Sequence, residues 1–356
     1  KRISDTTFIF ATMSAPKEII IIGQGLSGTF LSFFLHQANI KFLVYDTLNK
    51  SSASQITSGV INPVTGRRIV RTWMIENVMP FAVQAYQQVE FFLNTSFIKQ
   101  CNILDFHATA QMQQAFDERV QEETYLKIPE HKNEWKDFFN YSFNVGETNP
   151  CWLINVKLLL DKWRAYLLAN NLLIEENFSV EQIKDYQEQT IIFCDGIANA
   201  ANPYFNALPY SANKGEALIA EINDLPNNNI YKKGCSIVPW QNNLWWIGST
   251  YNWNFENDLP TESFRLDMEN KLKDFLKLPY KIVHHFAAIR PANLERRPFV
   301  GLHPVHKNIG ILNGMGTKGC SLSPYFAHEL TEHLINQKPI NPNADVQRFS
   351  KILSKQ

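Results

Sequence analysis

The run Ile19-Ile20-Ile21-Ile22 is β-branched with no polar alternation, the pattern of a strand buried on both faces of a parallel sheet. It leads into glycines, after which Leu26, Phe30, Leu31, Phe34 and Leu35 recur at helical spacing. A second apolar run over residues 41–45 predicts a strand that ends at Asp46, which completes a β-α-β unit. From about residue 72 to 171 the pattern predicts mostly helix. Residues 79–92 and 153–168 carry apolar side chains three and four apart, with breaks at Pro129 and Pro150, and Phe81, Tyr86, Phe91 and Phe92 read as core. Between Ala217 and Ile289 it turns to short strands, 217–222, 235–240, 244–250 and 282–289, interrupted by a helix over 261–276. Residues 190–194 and 308–313 return to parallel-sheet character. The second of these enters Gly314-Met315-Gly316-Thr317-Lys318-Gly319 and a helix from about 321 to 336.

The expected fold is α/β, α+β overall: a Rossmann-like nucleotide-binding domain on a parallel sheet, with an inserted domain of antiparallel sheet and helices. The boundaries drawn are 13–75, 151–205 and 300–345 for the first and 76–150 and 206–299 for the second, the substrate domain. Residues 1–12 read as a leader, a non-native remnant or a mis-assigned start.

Composition narrows the class. Of 356 residues, 45% are hydrophobic and 19% charged, which describes a soluble globular protein and excludes a disordered tail or a coiled coil. Lysine plus arginine equals aspartate plus glutamate at 34 each, so bulk attraction to nucleic acid is not expected. Five scattered cysteines without a C-x-x-C pair argue against a disulfide framework or a zinc site. With no membrane span in the sequence, the expected location is cytoplasmic.

Gly23, Gly25 and Gly28 form G-x-G-x-x-G between the first strand and helix. Gly23 permits the tight turn, Gly25 lets a pyrophosphate approach the backbone, and Gly28 allows close helix packing; Gln24, Leu26 and Ser27 complete the turn. The helix N-terminus offers free N–H groups to phosphate, and Asp46 stands where an acid accepts hydrogen bonds from a ribose. These residues predict a dinucleotide site, without choosing FAD over NAD. The turn at 314–319 is a second strand, glycine turn and helix, so Gly314, Gly316, Thr317, Lys318 and Gly319 are candidates for the same extended ligand; a mere sharp turn is the alternative.

At these residues the chain resembles the D-amino-acid oxidase family of FAD-dependent oxidoreductases, a group that includes glycine oxidase, sarcosine oxidase and the flavin domain of a bifunctional tRNA-modifying enzyme. The resemblance runs from about Lys17 to the C-terminal helix, and in the helical middle it is one of character only. It rests on the glycine motif with Asp46, then on Ser51-Ser52-Ala53-Ser54 and Gly59-Val60-Ile61-Asn62-Pro63. There the family's chain passes the pyrophosphate and flavin ring, which implies cofactor roles for Ser52, Ser54, Gly59, Val60 and Ile61. Residues 178–183 look like the family's strand whose valine, here Val180, meets the adenine. Ala288-Ile289-Arg290-Pro291 resembles the segment ending a substrate-domain strand, and residues 314–319 resemble the turn under the flavin pyrimidine.

Two departures stand out. Many relatives have Thr-Gly or Ala-Gly where this chain has Cys194-Asp195-Gly196, and the segment after Arg290 lacks the cysteine that tethers flavin in the sarcosine-oxidase branch. Noncovalent FAD is therefore implied, with Gly196 beside it. The resemblance further implies oxidation of the C–N bond of an amino acid or secondary amine by hydride transfer to flavin N5, with oxygen or a quinone as final acceptor. Arg290 would grip the substrate carboxylate as a two-pronged donor, and Lys318 would favour negative charge on the flavin. A structural ion pair is the other reading of Arg290. Arg67 and Arg68 could add positive field, though a solvated pair is the plainer reading. Trp245, Trp246, Tyr251 and Trp253 are candidates for a pocket wall or for core. Alternatives at the level of function are a flavin-dependent tRNA-modifying reaction that removes a carboxymethyl group, and an FAD-binding protein without turnover.

Overall fold

The computed structural model describes residues 18–66, 69–129 and 134–355. Its central sheet has the strand order β11 (Leu173–Ile174), β2 (Phe42–Tyr45), β1 (Ile19–Ile22), β12 (Thr190–Phe193), β19 (Ile309–Asn313) and β18 (Phe299–Leu302). The neighbours from β11 to β19 run parallel, and β18 closes the edge antiparallel to β19. The isoleucine run has two cores to fill. Ile19 and Ile21 face helices α1 (Leu26–Gln37), α2 (Ile75–Leu93), α4 (Val156–Ala169) and α6 (Gly319–Asn336), while Ile20 and Ile22 face Phe205, Leu208 and Phe299. Each isoleucine buried this fully contributes about 2 kcal/mol, which is why no polar residue interrupts the strand. A short terminal helix, α7 (Ser350–Leu353), covers the second face through Leu353.

The larger sheet has the order β17 (Tyr280–Arg290), β13 (Asn213–Ile222), β16 (Leu244–Gly248), β15 (Cys235–Pro239), β14 (Asn229–Lys233), β7 (Asn102–Phe106), β9 (Val145–Thr148) and β8 (Leu126–Lys127). All its pairings are antiparallel except β14 with β7. Its side chains divide by the period of two. Leu218, Ala220 and Ile222 pack under helix α5 (Glu262–Phe275), and Ala217 and Ile219 turn to the other face with Trp246, Cys151 and Leu153. Helix α3 (Ala110–Arg119) lies beyond, with Phe116 packed on Val64 and Leu126. Two small sheets join the units: β3 (Val60–Ile61), β10 (Trp152–Ile154) and β6 (Ile98–Gln100), and the ribbon β4 (Val64–Thr65) with β5 (Val70–Arg71).

Three expectations need correction. The stretch 72–171 is not mainly helical, since β6, β7, β8, β9 and β10 all lie in it. These strands are two to five residues long, and β7 finds its parallel partner far along the chain, so no local period announces them. The expected helix over 153–168 is α4, capped by Asn155 onto Leu158 N at 3.1 Å, while Trp152–Ile154 is strand. Helix α2, drawn with the substrate unit, buries Val78, Met79, Ala82, Ala85 and Tyr86 against α1 and α6 in the nucleotide-side core, and the Tyr86 hydroxyl donates to Cys320 O at 2.9 Å. Among the described residues no helix is long and apolar enough to cross a membrane, and no cluster of side chains is able to hold a metal ion. Residues 1–12, Arg67 and Arg68 lie outside the described residues.

Candidate active site

A cleft of about 530 Å³, on the scale of a cofactor site, opens at the carboxyl ends of β1, β2, β12 and β19 and extends to residues 215–217 of β13 and 288–290 of β17. At its centre is the first glycine turn. Gly23 has φ of +99°, in the left-handed region, and a Cβ on Gly28 would stand 1.9 Å from Gly23 O, so only glycine lets α1 start this close to the strand. Gly25 precedes α1 with no side-chain cap, which leaves first-turn N–H groups for an anion. The second turn ends at α6, whose start likewise has no side-chain cap. Ser27 Oγ and Ser323 Oγ are 3.2 Å apart, tying the two helix starts together on one cleft. The two glycine devices thus converge, as one extended ligand requires.

The loop of residues 51–58 forms the facing wall. Leu26 N donates to Ser54 Oγ at 3.2 Å, and the Trp246 indole donates to Ile56 O at 3.0 Å, so a side chain of the larger sheet fastens the loop. Gly23, Gln24, Gly25, Leu26, Ser27, Asp46, Ser52, Ser54, Val60, Gly196, Gly316, Thr317, Gly319 and Arg290 all line the cleft.

Gly28, Gly59, Ile61, Gly314, Val180 and Lys318 do not line it. Gly28 and Gly59 serve close backbone contacts instead, a Cβ on Gly59 meeting Ile154 O at 1.9 Å. Residues 178–183 are no strand: Ser179 opens a 3₁₀ turn over Val180–Tyr186, its N–H donating to Gln182 Oε1 at 2.7 Å, and the cleft there is lined by Glu176, Asn177 and Phe178. Ser179 with Gln182 three residues on is a helix-start signature that outweighs the β-branched residues. Lys318 is half-buried near the Cys151 and Cys320 thiols, and desolvation pushes its ammonium down to about 8.

Asp46 is more heavily engaged than a lone ribose acceptor. Its Oδ1 accepts from Gln24 N at 3.0 Å, and its Oδ2 accepts from Leu48 N at 2.8 Å and from Arg164 Nη1 at 2.7 Å. Arg164, on α4, also donates to Asp46 O, Gln24 Oε1 and Glu175 Oε1. Arg164 was missed in the sequence, though a signal existed: it falls four residues after Leu160 and three before Leu167, on the buried face of α4.

The other end of the cleft belongs to Arg290, at the last position of β17. Its Nη1 donates to Asn213 Oδ1 at 2.6 Å and Thr250 O at 3.0 Å, its Nη2 donates to Ser249 Oγ at 2.9 Å, and the Tyr251 ring lies 5.0 Å from its Cζ. Burial pulls the guanidinium below its usual range, and an arginine side chain keeps its charge in a protein. Among the described residues no carboxylate forms an ion pair with it. Glu216, the nearest acid on β13, is already bound to Thr261 N, Thr261 Oγ1 and His285 Nε2 at 2.7, 2.8 and 3.0 Å. Gly215 provides the space, because a Cβ there would sit 1.9 Å from Arg290 Nη2. Of the four candidate aromatics, Trp246 and Tyr251 line the cleft, Trp245 is core, and Trp253 is exposed and stacked on Tyr251.

A parallel-sheet dinucleotide fold with two helix N-termini on one cleft, bordered by a cationic side chain from a second sheet, defines the nucleotide-cofactor enzyme class. Residues 18–333 match the family model described as FAD dependent oxidoreductase, DAO, and the chain belongs to that family. It is similar in structure to glycine oxidase from Geobacillus kaustophilus, with 15% identity, TM-score 0.74, and coverage of 94% of this chain and 98% of that one. Iminodiacetate oxidase from Chelativorans sp. BNC1 gives 13% identity, TM-score 0.71, and coverage of 92% and 98%. L-alpha-glycerophosphate oxidase from Mycoplasma pneumoniae, solved with FAD bound, gives 16%, 0.64, and 92% and 97%. The protein is an FAD-dependent oxidoreductase, and the glycine turns, uncapped helix starts and serine-rich loop are a donor set that suits the cofactor's phosphates and ring oxygens.

Proposed function

We propose that this protein oxidises the C–N bond of a carboxylate-bearing amino acid or secondary amine, with Arg290 holding the carboxylate. One observation carries this: a part-buried guanidinium in the cleft whose protein partners are all neutral, with its Nε–H and one Nη2–H left unclaimed among the described residues. A largely desolvated charge of that kind calls for an anion, and a carboxylate fits two guanidinium N–H groups at once. The glycine oxidase and iminodiacetate oxidase folds support the substrate class, although the glycerophosphate oxidase shows that fold alone does not choose it. FAD, when bound, supplies the two-electron acceptor. Arg290 orients the substrate by its carboxylate, Asn213, Ser249 and Thr250 hold the guanidinium in place, and Trp246 with the 51–58 loop keeps water from the interior of the cleft.

The test is anaerobic mixing of the yellow protein with a panel of amino acids and N-alkyl glycines. Bleaching is expected with carboxylated amines and not with their decarboxylated counterparts; bleaching by both alike would remove Arg290 from recognition, and bleaching by none would favour a protein without turnover. FAD is expected in the supernatant after acid precipitation. The Cys320 thiol on the cleft wall is pushed up to about 12 by burial and stays a protonated, poor nucleophile at neutral pH. Flavin remaining in the pellet would overturn the noncovalent reading.

A second reading, removal of a carboxymethyl group from a modified uridine, is favoured by the exposed pair Tyr251 and Trp253, 56% and 58% accessible beside Arg290, a shelf on which a base could stack. Adding a carboxymethylaminomethyl nucleoside to the same panel separates the two.

A further inference from the structure

Asp195 is an acid in the cleft that nothing above uses. It follows β12 at the carboxyl end of the central sheet and lines the cleft. Its Cα lies 3.0 Å from where a Gly23 Cβ would be, so the residue is packed against the first glycine turn, on the side of β1 away from Asp46. One carboxyl oxygen is spoken for. Asn199 Nδ2 donates to Oδ1 at 2.9 Å, and Asn313 Nδ2 makes a longer contact of 3.4 Å while bonding Gly196 O at 2.8 Å. The Tyr210 hydroxyl donates to Asn199 Oδ1 at 2.7 Å, which turns the Asn199 amide nitrogen toward Asp195. Among the described residues no side chain hydrogen-bonds Oδ2 and the carboxyl has no cation.

With Asp46 after β2 placed for the adenosine ribose and the start of α1 for the pyrophosphate, the β12 side of the turn would face the stretch of FAD from pyrophosphate to ribityl chain. That stretch offers acceptor oxygens and two negative charges. An ionised carboxylate there repels the ligand and presents no donor; a neutral carboxylic acid donates. We propose that Asp195 binds FAD as the neutral acid, its Oδ2–H donating to an oxygen of the pyrophosphate or ribityl chain, so that FAD affinity falls as pH rises.

The environment supports this assignment. Burial raises the Asp195 carboxyl to about 7, against smaller opposing effects from Asn199 and from its own backbone N–H. The ionisable groups packed on it, Cys194 and Tyr210, are both held well above their ordinary values by burial and stay neutral near pH 7. Gly23 just after β1, Asn199 from the following turn and Asn313 from β19 bring no charge. The other ionisable cleft residues are Tyr45, Asp46, Glu176, Glu216, Tyr251, Asp258, Arg290 and Cys320; none bonds to Asp195, and Asp46 is matched by Arg164. The sign follows from linkage. FAD selects the protonated form, so affinity is flat below the free-state value near 7 and falls by up to about tenfold per pH unit above it, with one proton taken up on binding.

The test is equilibrium dialysis of the full-length yellow protein between pH 5.5 and 8.5, with free FAD read by its fluorescence. For the native chain the dissociation constant should rise at least about tenfold from pH 6 to 8.5. Asp195→Asn keeps a donor and loses the charge, so its affinity should be level across the range and tighter than native at pH 8.5. Asp195→Ala should also be level but weaker than native at pH 6. A level native curve, or the native slope surviving in either variant, would overturn the proposal.

Discussion

Replacing Arg290 with alanine is expected to abolish the spectral response of the bound flavin to carboxylates such as benzoate while FAD stays bound. The side chain contacts Asn213, Ser249, Thr250 and Tyr251, all in the larger sheet and its 249–251 segment, and makes no bond to the glycine turns that carry the cofactor. Losing a buried charge-assisted fork costs about 3 kcal/mol, roughly a hundredfold in affinity. Lysine keeps the charge but not the fork, and should fall between. Gly215→Ala is the sharper control. It leaves every charge in place and pushes a Cβ into the guanidinium, so it should weaken benzoate binding nearly as much as alanine at 290 does. Benzoate titration of the three variants checks this; flavin loss in all of them, with no selective change toward carboxylates, would return Arg290 to a structural role.

Arg164→Leu is expected to lower both stability and FAD affinity. The side chain is 7% exposed and bonds Asp46, Gln24 and Glu175, drawing helix α4 and the end of β2 to the glycine turn. Removing one partner of a buried pair costs 3–5 kcal/mol in general; Asp46 at 21% and Glu175 at 57% exposure keep some solvation, which brings the expected loss to about 2–3 kcal/mol. Asp46→Asn should weaken FAD binding alone and be less harmful when combined with Arg164→Leu than the single changes would sum to, because each single change strands the other's partner. Guanidinium chloride unfolding and FAD titration of the two singles and the double measure the coupling. Strict additivity would mean that the two residues act separately.

What the sequence by itself determined is local. Four isoleucines, three glycines at fixed spacing and an apolar helix stripe specify a β-α-β turn wherever they occur, because strand burial, a left-handed turn and helix–strand contact are satisfied within some thirty residues. The same holds for Ile309–Asn313 and the turn after it, and for Arg290, whose place before Pro291 ends a long strand. The tertiary structure decided everything that depends on a distant partner. Short strands such as Leu126–Lys127 exist because β9 offers its edge. Asp46 looked like a free acid until α4 brought Arg164 to it, more than a hundred residues away, and Arg290 could be read as half of an ion pair until the fold surrounded it with Asn213, Ser249 and Thr250. Charge and hydrogen-bonding state are set by what surrounds a side chain in three dimensions, and neither periodicity nor spacing along the chain carries that information.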